Sequence, residues 1–96
     1  MSPPGGDAAL PPYAFEWDDQ NVAHISRHGF IPDEVEELFA GSYRTRKSRE
    51  SLYLAYGQTF EGRYTLVVYR RLLRRRIRII TARDMTKAEQ RLYRKK

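Results

Sequence analysis

With 96 residues, 18 basic and 12 acidic side chains and no cysteine, the chain has room for one small domain and one modest core. The lack of cysteine excludes disulfides and thiolate metal sites, and no apolar run approaches the roughly 18 residues needed to cross a bilayer. The net charge of +6 divides into −7 over residues 1–40 and +13 over residues 41–96, which predicts a polyanionic partner for the second half, most simply nucleic acid. Neutralisation between the two halves within one fold is the competing reading.

Residues 1–12, "MSPPGGDAALPP", have neither the basic start nor the apolar centre of a signal peptide. Their prolines and glycines predict a disordered tail, leaving residues 13–96 as the domain, in a cytoplasmic setting. "YAFEW", Tyr13 to Trp17, reads as a short aromatic strand. "DDQNVAHISRHG" reads as a helix capped by Asp18 or Asp19, stopped by Gly29, with Val22 and Ile25 on its buried face. "IPDEVEELFAG" predicts a second helix with Pro32 in the first turn and Val35, Leu38 and Phe39 as its core stripe.

The period then changes. "SLYLAYG", "RYTLVVYRR" and "RIRIITAR" are strand-like, rich in Tyr, Val, Ile and Thr. "QTFEGR" is a hairpin connection containing Gly62, "LLRRR" links the next pair, and "YRTRKSR" is an edge strand or a basic loop. Thr86 and Glu89 form a capping box for a C-terminal helix, predicted to face the sheet with Ala88 and Leu92. Short links between the late strands imply an antiparallel sheet, so the fold class is α+β: a small twisted sheet with N-terminal helices and a C-terminal helix. Alternation turns Arg76 and Arg78 to an open face and Ile77 and Ile79 to the helices. Simple alternation carries Arg83 to the isoleucine side with Thr81, where a guanidinium needs a partner such as Glu16, Asp18 or Asp84, or a pocket.

"FEWD", "RHG" at Arg27 to Gly29, "LVVY", and "RIITAR" followed by a capped basic helix ending "RLY" resemble BrnT-type toxins over Phe15 to Tyr93. The resemblance implies a RelE-like fold, a ribonuclease that inhibits translation, and membership of a type II toxin–antitoxin system. It implies a ribbon-helix-helix antitoxin as partner, with operator DNA bound only through the toxin–antitoxin complex. Trp17 and Asp18 match the family's "WD", His28 and Gly29 its "HG", and Arg83 the arginine of its "SAR", with Thr81 in place of serine. Asn21 stands where the family usually has lysine, and His24 where it usually has asparagine. "LLRRR" is about one residue longer than usual and more basic.

Metal-independent RNA cleavage needs a base for the 2′-hydroxyl, an acid for the leaving 5′-oxygen and cations for the phosphorane. The carboxylates of the basic half are scattered, so no metal and no other cofactor is expected. Histidine is the side-chain type suited to acid–base work near neutral pH, so His28 is the candidate general base or acid; at a helix C-terminus it can equally serve as a simple cap. His24, four residues earlier, shares its helix face, and this pair alone is a weak zinc signal. Arg83 is the candidate phosphate clamp, Arg63 and Arg78 are supporting cations, and Tyr69 is a candidate to position or stack a base. Arg70, Arg74, Arg75, Arg76 and Tyr64 are candidate RNA-binding residues, combining backbone charge with aromatic stacking. Trp17 reads as core. Tyr93, on the basic last helix, is a further phenol. A non-catalytic nucleic-acid- or protein-binding module on the same fold is the alternative function.

Overall fold

The computed structural model describes residues 13–95; the tail predicted over residues 1–12 lies outside them. Its elements run β1 (Ala14–Glu16), α1 (Asp19–Ser26), α2 (Pro32–Ala40), β2 (Arg44–Lys47), β3 (Leu52–Gln58), β4 (Tyr64–Arg71), β5 (Arg76–Asp84) and α3 (Lys87–Arg94). The sheet order is β1-β5-β4-β3-β2. The β2–β3, β3–β4 and β4–β5 pairs are antiparallel, as the short connections dictate. The two helices carry the chain from β1 to β2 at the opposite edge, and the antiparallel meander then returns across the sheet until β5 lies parallel to β1. "YRTRKSR" resolves as the edge strand β2, with every residue exposed and Arg or Lys at three of its four positions, a composition that discourages edge-to-edge pairing.

Asp18 caps α1, accepting from the Asn21 amide at 3.1 Å, and Asn21 Oδ1 accepts from the Asp18 amide at 2.8 Å. Asn21 is only 2% exposed, and its Nδ2 donates to the carbonyls of Glu16 (2.9 Å) and Ile79 (3.0 Å). One amide thereby ties the start of α1 to the end of β1 and the middle of β5. It displaces Val22, which is half-buried, from the place the helix pattern predicts for it. In α2, Pro32 opens the first turn and Glu34 reaches back to the Ile31 amide at 3.1 Å.

The core lies between α1, α2 and one sheet face, where Ile25, Phe30, Val35, Leu38 and Phe39 meet Ala55, Val67, Tyr69, Ile77, Ile79 and Ala82. α2 approaches β3 so closely that a Cβ on Gly57 would stand 2.8 Å from Leu38 Cγ. Trp17 packs against this core as expected and donates its indole N–H to Glu36 at 2.8 Å.

Two features depart from simple strand geometry. On β5, Ile79 pairs with Tyr69 and Thr81 with Val68, leaving Ile80 unpaired as a bulge. The extra residue reverses the alternation beyond it. Ala82 takes the core side opposite Val67, and Arg83 pairs with Leu66 on the face away from α1 and α2, the same side as Arg76 and Arg78, where Leu66 itself is only 3% exposed. The expected core-side register of Arg83 is corrected accordingly. The β4–β5 turn places Arg74 (φ 62°) and Arg75 (φ 58°) in the left-handed region, closed by Arg76 N–H to Leu73 O at 3.3 Å. Such two-residue turns favour Asn-Gly, and each left-handed non-glycine residue costs roughly 1–2 kcal/mol.

α3 carries the predicted capping box, with Thr86 Oγ1 accepting from the Glu89 amide at 3.1 Å and Glu89 Oε1 from the Thr86 amide at 2.8 Å. It does not face the sheet with Ala88 and Leu92, which are both exposed, Leu92 by 64%. Glu89, Gln90 and Tyr93 face inward instead, because polar anchors set the rotation of the helix: Glu89 on Arg83, Gln90 on the Met85 carbonyl at 3.4 Å, and the Tyr93 hydroxyl on the Ser42 carbonyl at 3.1 Å.

Candidate nucleic-acid interface

The sheet face away from α1 and α2 is built from cross-strand rows. Arg83, Leu66, Tyr56 and Arg44 form one row, Thr81, Val68, Leu54 and Arg46 the next, and Glu16, Arg78, Arg70 and Leu52 the third. Apolar side chains form the floor and arginines the rim. This combination explains why so many arginines alternate with branched residues on β5: each serves a different face.

Arg83 occupies one end. Its two terminal nitrogens donate to Glu89 Oε1 and Oε2, each at 2.9 Å, and one also donates to the Asp84 carbonyl at 2.9 Å. The bidentate pair raises the Arg83 pKa and lowers that of Glu89 below the ordinary carboxylate range. The Tyr56 phenol, by Arg83 on the same row, adds a smaller charge interaction. At the other end Arg78 binds the Asp18 carboxylate, at 2.9 Å through one nitrogen and 3.3 Å through the other, and Arg76 binds Glu16 at 2.6 Å. Arg70 donates to the Glu50 carbonyl at 3.2 Å. Thr81 Oγ1 is buried in the floor without a hydrogen-bond partner.

Arg63 lies elsewhere. It clamps Asp84 through two nitrogens at 2.7 and 3.2 Å, donates to the carbonyls of Gly29 (2.9 Å) and His28 (3.0 Å), and covers the Phe30 ring at 3.7 Å. It joins the end of α1 to the ends of β4 and β5. His28 belongs to this group: it is exposed just past α1, with its ring 6.3 Å from that of His24. Asp84 and Arg83 are consecutive on β5 and face opposite ways, so His28 sits on the Asp84 side and no contact joins it to Arg83.

Tyr69 is 0% exposed, packed edge-on to Phe39 at 5.4 Å and stacked on Tyr53 at 5.8 Å. Burial pushes its phenol up to about 12 and leaves its hydroxyl without a geometric partner. A ring with no exposed surface cannot stack a base, which removes Tyr69 from the candidate site. Tyr64 is half-buried beneath α3, edge-on to Tyr93 at 6.1 Å. Arg74 and Arg75 stand exposed at the β4–β5 tip. Among the described residues, no group of three His, Asp or Glu side chains is arranged to hold a metal ion.

The same face carries Arg44, Arg46 and Glu89, which the sequence alone does not single out as candidates. The two arginines were detectable as alternate positions of β2. Glu89 was visible only as a capping residue, and the bulge that brings Arg83 to it leaves no local signature.

The family model for the ribonuclease toxin BrnT of type II toxin–antitoxin systems matches residues 17–89, about three quarters of the 96-residue chain. The matched span opens at Trp17, beside the Asp18 cap, and closes at Glu89, the partner of Arg83. No curated protein matches the chain.

Proposed function

This chain belongs to the BrnT family of type II ribonuclease toxins, and from that premise we propose that it cleaves RNA on the open sheet face without a metal ion and so inhibits translation. The observation that carries the reading is the bidentate Arg83–Glu89 pair at the end of an arginine-rimmed face. A guanidinium fork that holds two carboxylate oxygens at 2.9 Å is preorganised for two oxygens of a phosphodiester.

RNA entering along the rim displaces Glu89 from Arg83, and Arg83 then clamps the scissile phosphate. The freed Glu89 carboxylate takes the 2′-hydroxyl proton. The 2′-oxygen attacks phosphorus, and the P–O5′ bond breaks. The leaving 5′-oxygen is protonated, with the Tyr56 hydroxyl as the donor on the floor. The products are a 2′,3′-cyclic phosphate and a 5′-hydroxyl. Arg83 stabilises the developing phosphorane charge, and Arg78, Arg76 and Arg70 hold the flanking backbone. His28, exposed at the same strand end, is the second acid–base candidate.

The family implies a protein antitoxin. A ribbon-helix-helix antitoxin that covers the basic face and carries the complex to operator DNA is part of the proposal, as is action in the cytoplasm. Among the described residues no helix is long and apolar enough to cross a membrane. A second reading, a binding module without turnover, is favoured by one observation: Arg63, Arg76, Arg78 and Arg83 are all paired with the chain's own carboxylates. Incubation of purified protein with RNA, alone and on translating ribosomes, separates the two. Fragments ending in cyclic phosphate are expected, and intact RNA under both conditions leaves the binding module.

A further inference from the structure

The arginines of β4 and β5 differ in what holds them. Arg70 donates to Glu50, Arg71 lies over Tyr53 at 4.1 Å, and Arg76, Arg78 and Arg83 are bound by carboxylates. Arg74 and Arg75 are exposed and make no ion pair or side-chain hydrogen bond among the described residues. These two also occupy the central, left-handed positions of the turn, at φ 62° and 58°. Asn-Gly would relax this turn, so the sequence retains strain where it places two unpaired cations. The neighbouring β2–β3 turn also has left-handed residues, Glu50 and Ser51, but there the Glu50 carbonyl is held by Arg70. Leu73, beside the pair, is 82% exposed.

From the tip, Arg76, Arg78 and Arg83 follow one another along the same side of β5. Arg76 and Arg83 are seven residues apart, but with Ile80 bulged out they span about six strand repeats, roughly 20 Å at about 3.3 Å each. That is roughly six nucleotides at about 3.4 Å each along a stacked strand.

We propose that the β4–β5 tip is a distal binding site for the RNA phosphate backbone, so that substrates long enough to span β5 from tip to Arg83 are preferred over short ones. This rests on the reading of the open face as the RNA-cleaving surface. The tip contributes affinity through Arg74 and Arg75 and takes no part in the bond-breaking step.

The test uses the R74N/R75G variant and uncleavable 2′-O-methyl oligonucleotides of 4 and 12 nucleotides. Relaxing the turn should raise the Tm by at least about 4 °C, so misfolding cannot account for lost binding. Affinity for the 12-mer should fall, and the slope of log affinity against log salt should drop by about 1.4, two phosphate contacts at about 0.7 each. Affinity for the 4-mer and cleavage of a short RNA should stay at the parent level. An R27Q/K87Q control, removing two charges elsewhere, should leave the 12-mer slope unchanged. A 12-mer affinity and slope equal to the parent's overturn the proposal, and so does an equal loss in the control. Lost binding of an acidic protein partner with RNA binding intact would assign the tip to that partner and also overturn it. Tip-dependent 12-mer binding without any cleavage would sustain the distal site while refuting the ribonuclease reading.

Discussion

Arg83 holds Glu89 by two parallel hydrogen bonds of 2.9 Å, and the same Glu89 accepts from the Thr86 amide at 2.8 Å to close the first turn of α3. The guanidinium proposed as the phosphate clamp is thus coupled to a helix terminus. Arg83→Ala is expected to slow RNA cleavage about 100- to 1000-fold, the usual effect of losing one preorganised donor. Its side chain is 40% exposed, so the lost ion pair should cost no more than about 1 kcal/mol, and the Tm should fall by only a few degrees. Cleavage at the parent rate by a folded variant removes Arg83 from the mechanism.

Three carboxyls are held below their ordinary values of 3.8, 3.8 and 4.5: Asp18 by Arg78, Asp84 by Arg63 and Glu89 by Arg83. A group whose pKa is depressed on folding binds its proton more readily in the unfolded chain. Its contribution is therefore complete above the unfolded value and is lost as pH falls through the folded one. The Tm is expected to be level from pH 7 to about 5 and to fall steeply below about 4. Charge reversal to Arg78→Glu should shrink the acid-dependent part of the loss. An equal Tm at pH 3 and pH 7 would show that these pairs contribute nothing.

Asn21 is 2% exposed and donates to two backbone carbonyls, Glu16 at 2.9 Å and Ile79 at 3.0 Å. Asn21→Ala strands both acceptors, at a cost of about 1–3 kcal/mol, which for a domain this size lowers the Tm by about 4 °C or more. Asn21→Lys, which introduces the residue that the resembled family usually has here, should cost more, because a longer side chain and a full charge would have to be buried in the space of an amide that is 2% exposed. Thermal melts of both variants check the order. A Lys variant as stable as the parent would mean that α1 can move to let the side chain reach water.

The α+β class, most of the helix caps and the strand sequence were legible because they depend on local chemistry. Asp18, Pro32, Thr86 and Glu89 each act within one helical turn, and strands of Val, Ile and Tyr carry their own period. The candidate site was less legible. Ile80 looks like any strand residue, yet its exclusion from the β4 ladder turns Arg83 from the core side to the open face. Leu92 looks like a core contact, but Glu89 and Tyr93 anchor α3 with Leu92 outward. Tyr69 looks like the other strand tyrosines, and only the placement of Phe39 and Tyr53 shows it to be enclosed. Each of these is a long-range packing outcome that no window of sequence contains.

Gly57 marks where α2 and β3 touch, since a Cβ there would lie 2.8 Å from Leu38 Cγ and 3.1 Å from Tyr43 Cβ. Gly57→Ala is expected to cost about 1–3 kcal/mol by overpacking. Gly57→Ala combined with Leu38→Ala should recover less than is lost, because removing the Leu38 side chain opens its own cavity. Urea melts of the single and double variants measure both. A single variant as stable as the parent would show slack between α2 and the sheet.

The general base can be assigned by comparing Glu89 with His28. Gln at position 89 keeps an oxygen for the Thr86 amide, so α3 stays capped while the carboxylate is lost. If Glu89 takes the 2′-hydroxyl proton, Glu89→Gln should lower kcat about 100- to 10,000-fold with RNA binding retained. Removing its negative charge beside Arg83 should, if anything, tighten phosphate binding. His28→Gln should then change kcat less than tenfold, since His28 faces the Arg63–Asp84 side of the strand end and its fold contact is a backbone carbonyl that any residue supplies. The distinction also appears in the pH profile. A histidine base gives a rate that rises through about pH 6–7, and a carboxylate base one that is already level there. A large loss in His28→Gln together with a profile breaking near neutrality would transfer the base to His28. Glu89 would then be left as the resting partner that keeps Arg83 in place until a phosphate arrives.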